Sequence, residues 1–202
     1  MKKVKVATVW LDGCSGCHMS FLDIDEKLLD LAGKVEIVYS PLVDNKIFPE
    51  NVDLTLVEGS VSSDEDLRKI QSIRKKTKIL VALGDCAVTG NVPSMRNHFN
   101  PNAILRRAYV ENVTIGGQIP DVGLPTLLPK VKPVHELVKV DFHLPGCPPP
   151  SEVILYLIGE LLEGRAYRPD VKILPALLGE RVGAIGAALV ARAGDRYRVD
   201  AV

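Results

Sequence analysis

The sequence predicts an α/β protein built on a doubly wound parallel sheet, and three observations carry that expectation. Short β-branched apolar runs alternate with helix-periodic stretches from Val4 to Glu163. Nearly every run closes on a turn bearing glycine or proline. The apolar content is 47% with only 5% aromatic. It comes from Val, Leu, Ile and Ala, as strands buried on both faces require.

Val4 to Leu11 reads as the first strand and runs into the turn Asp12-Gly13. Cys17 to Ala32 follows with Phe21, Leu22, Leu28, Leu29 and Ala32 at helical spacing, and Gly33 is the expected stop. Val35 to Ser40 and Val52 to Val57 are the second and third strands, the latter closed by Glu58-Gly59. Asp64 to Lys76 is a solvated helix with Leu67, Ile70 and Ile73 inward, and Ile79 to Leu83 is a fourth strand closed by Gly84. Six prolines between Val88 and Pro133 predict an irregular segment of the kind that is functional or docked on something. Val138 to Leu144 is the fifth strand, and Ser151 to Glu163 is a helix with its stripe on Val153, Ile154, Leu157, Ile158, Leu161 and Leu162. These elements assign 1–168 to one domain and 169–202 to an irregular C-terminal extension, packed on the domain or on a partner.

At 202 residues the chain suits one such domain. Lys plus Arg and Asp plus Glu balance at 25 each, and no basic stripe is available to neutralise phosphates, so no nucleic acid is expected. The mean hydropathy of +0.13 with zero net charge hints at a face buried by a partner subunit. No apolar run approaches the about 18 residues of a membrane span, and the N-terminus lacks a secretory pattern. A cytoplasmic protein is expected. In a reducing compartment its four cysteines are ligands or catalysts rather than disulfides.

Every cysteine follows a predicted strand. Cys14 and Cys17 lie in DGCSGC after strand one, Cys86 in LGDCAVTG after strand four, and Cys147 in LPGCPPP after strand five. In an open parallel sheet, ligands bind in the crevice at the carboxyl ends of the strands. Three loops far apart in sequence would converge there with all the thiols. Four thiolates are the ligand set of [4Fe–4S], [2Fe–2S] or structural zinc. The flanking glycines let backbone approach a bulky cluster and aim N–H groups at its sulfurs. The pair Cys14/Cys17 alone also mimics a thiol–disulfide redox motif, which gives Cys86 and Cys147 no role. Structural zinc usually wants two close cysteine pairs, and only one is present. Iron–sulfur is the favoured reading.

Taken together, WLDGCSGCHMSFLD at Trp10 to Asp23, VEGSV at Val57 to Val61, ALGDCAVTGNVPSMRN at Ala82 to Asn97 and HLPGCPPPSEVI at His143 to Ile154 resemble the small subunit of [NiFe] hydrogenases. The resemblance covers roughly Val4 to Glu163. It implies a flavodoxin-like domain and one proximal [4Fe–4S] cluster on Cys14, Cys17, Cys86 and Cys147. It also implies a large subunit carrying the nickel–iron centre. The cluster-bearing subunit of complex I shares this fold but has a tandem Cys-Cys pair, whereas Ser15-Gly16 separates the first two cysteines here. Periplasmic members add a twin-arginine leader and a cysteine-rich C-terminal domain, neither present in this sequence. The form expected is therefore the one-cluster subunit of cytoplasmic bidirectional NAD-reducing hydrogenases. Its partners there are diaphorase subunits with flavin and iron–sulfur clusters. Another cytoplasmic [NiFe] hydrogenase or a complex-I-like oxidoreductase is the alternative. A structural zinc module on the four cysteines is the alternative from another class. The chain performs no bond chemistry of its own in the hydrogenase reading.

Many family members place a proton-relaying Glu before the first cysteine. Gly13 stands there, and Asp12, Glu58 or a partner's residue are the available substitutes, with nothing in the sequence to choose among them. His18 is either a hydrogen-bonding group beside the cluster or the start of an exposed helical turn. His143 reads as a strand residue with a satisfied ring, and Glu58 as a charged loop residue or a border of the crevice. Arg96, Arg106 and Arg107 read as solvated or interface charges. No FMN is expected in this chain, because the cysteine pair occupies the loop where a flavin phosphate would rest.

Overall fold

The computed structural model describes residues 3–162. The domain boundary at 168/169 and the C-terminal extension expected from the sequence lie outside the described residues. The strands are β1 (Val4–Trp10), β2 (Val35–Tyr39), β3 (Val52–Glu58), β4 (Val61–Ser63), β5 (Thr77–Leu83), β6 (Leu127–Lys132) and β7 (Phe142–Leu144). The helices are α1 (Gly16–Leu22), α2 (Lys27–Lys34), α3 (Asp64–Lys76), α4 (Asp85–Thr89), α5 (Asn91–Ser94), α6 (Pro101–Arg106) and α7 (Ser151–Leu162). Five strands form one sheet in the order β2-β1-β3-β5-β7, with every pair parallel. Counted by themselves, these five run in the doubly wound order of the flavodoxin-like fold.

Alternation along the strands divides the core into two layers. Val6, Leu54, Leu56, Val81 and Leu83 pack with Phe21, Ile24, Leu31, Ile154 and Ile158 of α1, the turn after it, α2 and α7. Val9, Val57, Leu80 and Ala82 pack with Ile70 and Ile73 of α3, Ala87 and Val88 of α4, and Val134. α3 starts where it does because Ser63 and Asp66 form a reciprocal capping box. Three acidic residues in its first turn and three basic residues in its last complement the helix dipole.

The structure departs from the sequence expectation in several places. The helix expected over Cys17–Ala32 is two helices, broken where Asp25 turns left-handed at φ 59°, a conformation that aspartate tolerates. Gly33 does not stop the second: it lies inside α2, and the chain enters β2 directly after Lys34. The fifth strand begins only at Phe142, because the Asp141 carboxylate accepts the Leu80 N–H at 2.9 Å, where a strand partner's carbonyl would otherwise lie.

The proline-rich middle holds more regular structure than expected. It carries the end of α4, all of α5 and α6, and β6, which pairs antiparallel with β4 in a separate two-stranded sheet. A two-stranded ribbon tolerates Pro129, since each strand has a free edge. Arg96 ties this ribbon down through the Leu128 carbonyl at 3.1 Å and the Ser62 carbonyl at 2.7 Å, so it is a structural residue. Arg106 and Arg107 pair with Glu111, as solvated charges do.

Candidate metal centre

The three cysteine loops leave the carboxyl ends of β1, β5 and β7. After β1 the chain is pinned to the loop after β3 by Asp12 N–H to the Ser60 carbonyl (3.0 Å) and Ser60 N–H to the Asp12 carbonyl (2.8 Å). Gly13 lies so close to that loop that an added Cβ would stand 3.3 Å from Gly59 Cα. Ser15 turns left-handed and launches α1, placing Cys17 in its first turn with 8% of its surface exposed. Gly84, at φ 82° and ψ 162°, precedes α4 and Cys86. An alanine Cβ there would overlap the Cys17 sulfur.

The Cys86 and Cys147 loops are laced together. Gly84 N–H donates to the Leu144 carbonyl (2.8 Å), Asp85 N–H to the Gly146 carbonyl (2.9 Å), and Gly146 N–H to Asp85 Oδ1 (2.7 Å). The Cys147–Pro148 peptide is cis. Ser20 of α1 donates its hydroxyl to the Pro149 carbonyl at 2.5 Å, joining the first loop to the last across 129 positions.

Glu58 closes the site from the end of β3. Its side chain is buried and accepts from Cys17 N–H (3.4 Å) and His18 N–H (2.9 Å), two of the donors that a helix start leaves unpaired. The His18 ring bonds the same carboxylate through Nδ1. His18 is 2% exposed, so the reading of an exposed helical turn is overturned. Its Nε2 and the Trp10 indole N–H are buried with no hydrogen-bond partner among the described residues, and the two rings meet edge-on at 5.2 Å. His143 lies apart, half-buried with its ring against His135 at 5.6 Å. Burial, and then His135, push its pKa below 6.5.

All four cysteines are free thiols. Burial first, then Glu58, Cys86, Cys14 and Cys147, push the Cys17 thiol up to about 12. Burial, then Cys14 and Cys147, then Glu58 and Asp85, push Cys86 up to about 11. The sulfurs are therefore near enough to repel one another's charge. A thiol–disulfide pair on Cys14 and Cys17 would leave no task for Cys86 and Cys147, which the β5 and β7 loops bring to the same edge of the sheet. A positively charged metal centre reverses the balance by displacing the thiol protons, which fits this donor set. Among the described residues no three or more His, Cys, Asp or Glu stand in the geometry of a single bound ion.

Sequence reasoning placed the cysteines but missed three residues that position them. Asp85 bonds the Cys147 loop, Ser20 ties α1 to Pro149, and Asn91 directs its amide to Cys147 Sγ at 3.5 Å. Gly90-Asn91, a turn-forming pair just after Cys86, was the available signal for the last.

Known proteins match this arrangement. The family described as NADH ubiquinone oxidoreductase, 20 Kd subunit, matches residues 14–161. The chain is 43% identical over 172 residues to the NAD-reducing hydrogenase HoxS subunit delta of Cupriavidus necator, covering 82% of this chain and 81% of that one. It is 40% identical to a subunit of the F420-non-reducing hydrogenase vhu of Methanocaldococcus jannaschii, covering 85% of this chain but 60% of that longer one. A crystal structure of an NAD+-reducing [NiFe]-hydrogenase in the H2-reduced state superposes with a TM-score of 0.79 at 42% identity, covering 85% of this chain and 97% of that one. The [NiFeSe] hydrogenase of Desulfovibrio vulgaris Hildenborough, at 16% identity and a TM-score of 0.51 over 82% of this chain and 64% of that one, shares the fold. With this match across the cysteine loops, the chain belongs to the NADH ubiquinone oxidoreductase 20 kDa subunit family and stands within it among the small subunits of [NiFe] hydrogenases.

Proposed function

We propose that this chain is the electron-transfer subunit of a cytoplasmic NAD-reducing [NiFe] hydrogenase, with one [4Fe–4S] cluster bound by Cys14, Cys17, Cys86 and Cys147. It would relay electrons between the nickel–iron centre of a large subunit and a diaphorase module bearing flavin and further clusters. The observation that carries the reading is the convergence of Cys14, Cys17, Cys86 and Cys147 from three strand ends on one edge of the sheet, in loops laced to one another by hydrogen bonds. When bound, the cluster supplies one-electron chemistry and nothing else. The chain's residues hold it and tune it. Glu58 anchors the first turn of α1, and the Asp85 bonds lock the Cys147 loop to the Cys86 loop.

A large subunit has a suitable surface to cover. Met19 and Leu22 are exposed on α1, as are Val92, Met95 and Phe99 in the segment after Cys86. No helix among the described residues is long and apolar enough to cross a membrane. The likeness to the Methanocaldococcus jannaschii protein supports a second reading, a cytoplasmic [NiFe] hydrogenase with another acceptor.

The test is iron and acid-labile sulfide analysis with EPR on the anaerobically purified complex, followed by hydrogen-dependent NAD+ reduction. About four irons and four sulfides per chain are expected for a cubane on four thiolates, with a reducible S = ½ signal lost in Cys147→Ser. Cys86→Ser should lose or convert the cluster and stop electron delivery. Zinc in place of iron, or a fully active complex carrying Cys86→Ser, would overturn the cluster assignment. Turnover with another acceptor and none with NAD+ would select the second reading.

A further inference from the structure

We infer that Asn91 is a positioning residue that sets the reduction potential of the cysteine-bound cluster, an inference that rests on the cluster reading above. Its side-chain Nδ2–H donates to Cys147 Sγ at 3.5 Å across 56 positions of sequence. Among the described residues it is the one side chain that donates to a cysteine sulfur.

The backbone is arranged to present this amide. α4 ends on Gly90 in the left-handed region, and Asn91 follows at φ 29°, a conformation unfavourable to most side chains and tolerated best by glycine and asparagine. The turn is held on both sides of it: Gly90 N–H donates to the Cys86 carbonyl at 3.1 Å, and the Ser94 hydroxyl to the Asn91 carbonyl at 2.7 Å. A surface turn with no task beyond ending α4 would need only Gly90. Here a second residue keeps a positive φ, and its amide meets a sulfur brought in from the far end of the domain.

The direction of the effect follows from charge. Reduction adds one electron to the cluster, and part of that charge falls on the thiolate sulfurs. An N–H aimed at such a sulfur is a better hydrogen bond after reduction than before, so it favours the reduced state and raises the potential. Cys147 is exposed in this chain, whereas Cys17 is buried. Water competes at Cys147 for the same lone pairs, and a fixed donor there keeps the potential from depending on how the solvent happens to arrange itself.

The test is a reductive titration followed by EPR on the purified complex, comparing wild type with Asn91→Gly and Asn91→Asp. Glycine accepts the backbone conformation and removes the amide. Aspartate nearly preserves the shape, tolerates the turn, and replaces the donor with a negative charge. Asn91→Gly should lower the reduced-to-oxidised ratio at the wild-type midpoint by about two- to tenfold, the equivalent of one hydrogen bond. A tenfold change is about 59 mV for one electron. Asn91→Asp should lower the ratio further, with iron content and signal shape retained in both variants. An unchanged or raised midpoint in Asn91→Gly would overturn the inference. So would loss of iron from both variants, which would make Asn91 a structural prop. A wild-type complex without iron would refute the cluster reading itself, and that outcome is distinguishable because it appears before any variant is compared.

Discussion

Replacing Gly84 with alanine puts a methyl group where the Cys17 sulfur stands, and the cost can be worked out from the surrounding geometry. The backbone at φ 82° and ψ 162° lies in a region that is essentially glycine-only. Holding another residue there costs about 1–3 kcal/mol. The new Cβ would also stand 3.4 Å from the Gly146 carbonyl and 3.7 Å from Cys17 Cβ. The sulfur cannot simply rotate away, because that position is the one it needs as a ligand. Overpacking of this kind costs about 1–3 kcal/mol. The two together amount to roughly 2–6 kcal/mol, against a typical domain stability of roughly 5–15 kcal/mol. Gly84→Ala should therefore unfold at clearly lower denaturant and bind less iron than wild type. Gly33→Ala is the control: nothing lies within 4 Å of its added Cβ. Next to the last residue of α2, that change should be neutral or gain up to about 1 kcal/mol, the mid-helix value. Urea denaturation followed by circular dichroism, with iron analysis of the complex, reads both variants. A Gly84→Ala protein with wild-type midpoint and full iron would refute the close packing of Gly84 against Cys17.

Two further outcomes follow from charge and burial. Glu58→Ala strips the acceptor from the buried Cys17 and His18 N–H groups; each buried group left unpaired costs about 1–3 kcal/mol. Glu58→Gln keeps an acceptor oxygen and should recover part of the loss, and equal stability of the Ala variant and wild type would contradict the anchoring role. His143 has its pKa pushed below 6.5 by burial and by His135, so the folded state holds its proton less firmly than the unfolded chain. Its contribution to stability is present above that ordinary value and is lost as pH falls below it. Stability measured from neutral to mildly acidic pH should therefore decline less in His143→Gln; an identical decline would show that burial of this ring does not matter.

Much of the site was legible because its cysteines sit at strand ends. Alternating apolar runs identify the strands, and in a parallel sheet all carboxyl ends share one edge. Cys14, Cys17, Cys86 and Cys147 could thus be brought together before any coordinate was known. The short strands β4 and β6 were not legible. β4 offers only three residues, VSS, and β6 contains Pro129, so neither shows a strand pattern by itself. Their pairing depends on Arg96 and Asn97 reaching backbone carbonyls 32 and 34 positions away.

The sequence by itself determined the fold class, the edge of the sheet that carries the thiols, and the kinship of the chain. Each of these is written in local periodicity and in motifs a few residues long. Tertiary structure alone decided that His18 is buried on Glu58, that Gly84 makes room for a sulfur 67 positions earlier, and that Asn91 faces Cys147. The physical reason is the range of the interactions. Burial patterns and turn chemistry repeat along the chain and can be read from neighbours. A hydrogen bond between a turn and a distant loop depends on where two separate backbones meet, and no local pattern encodes that distance.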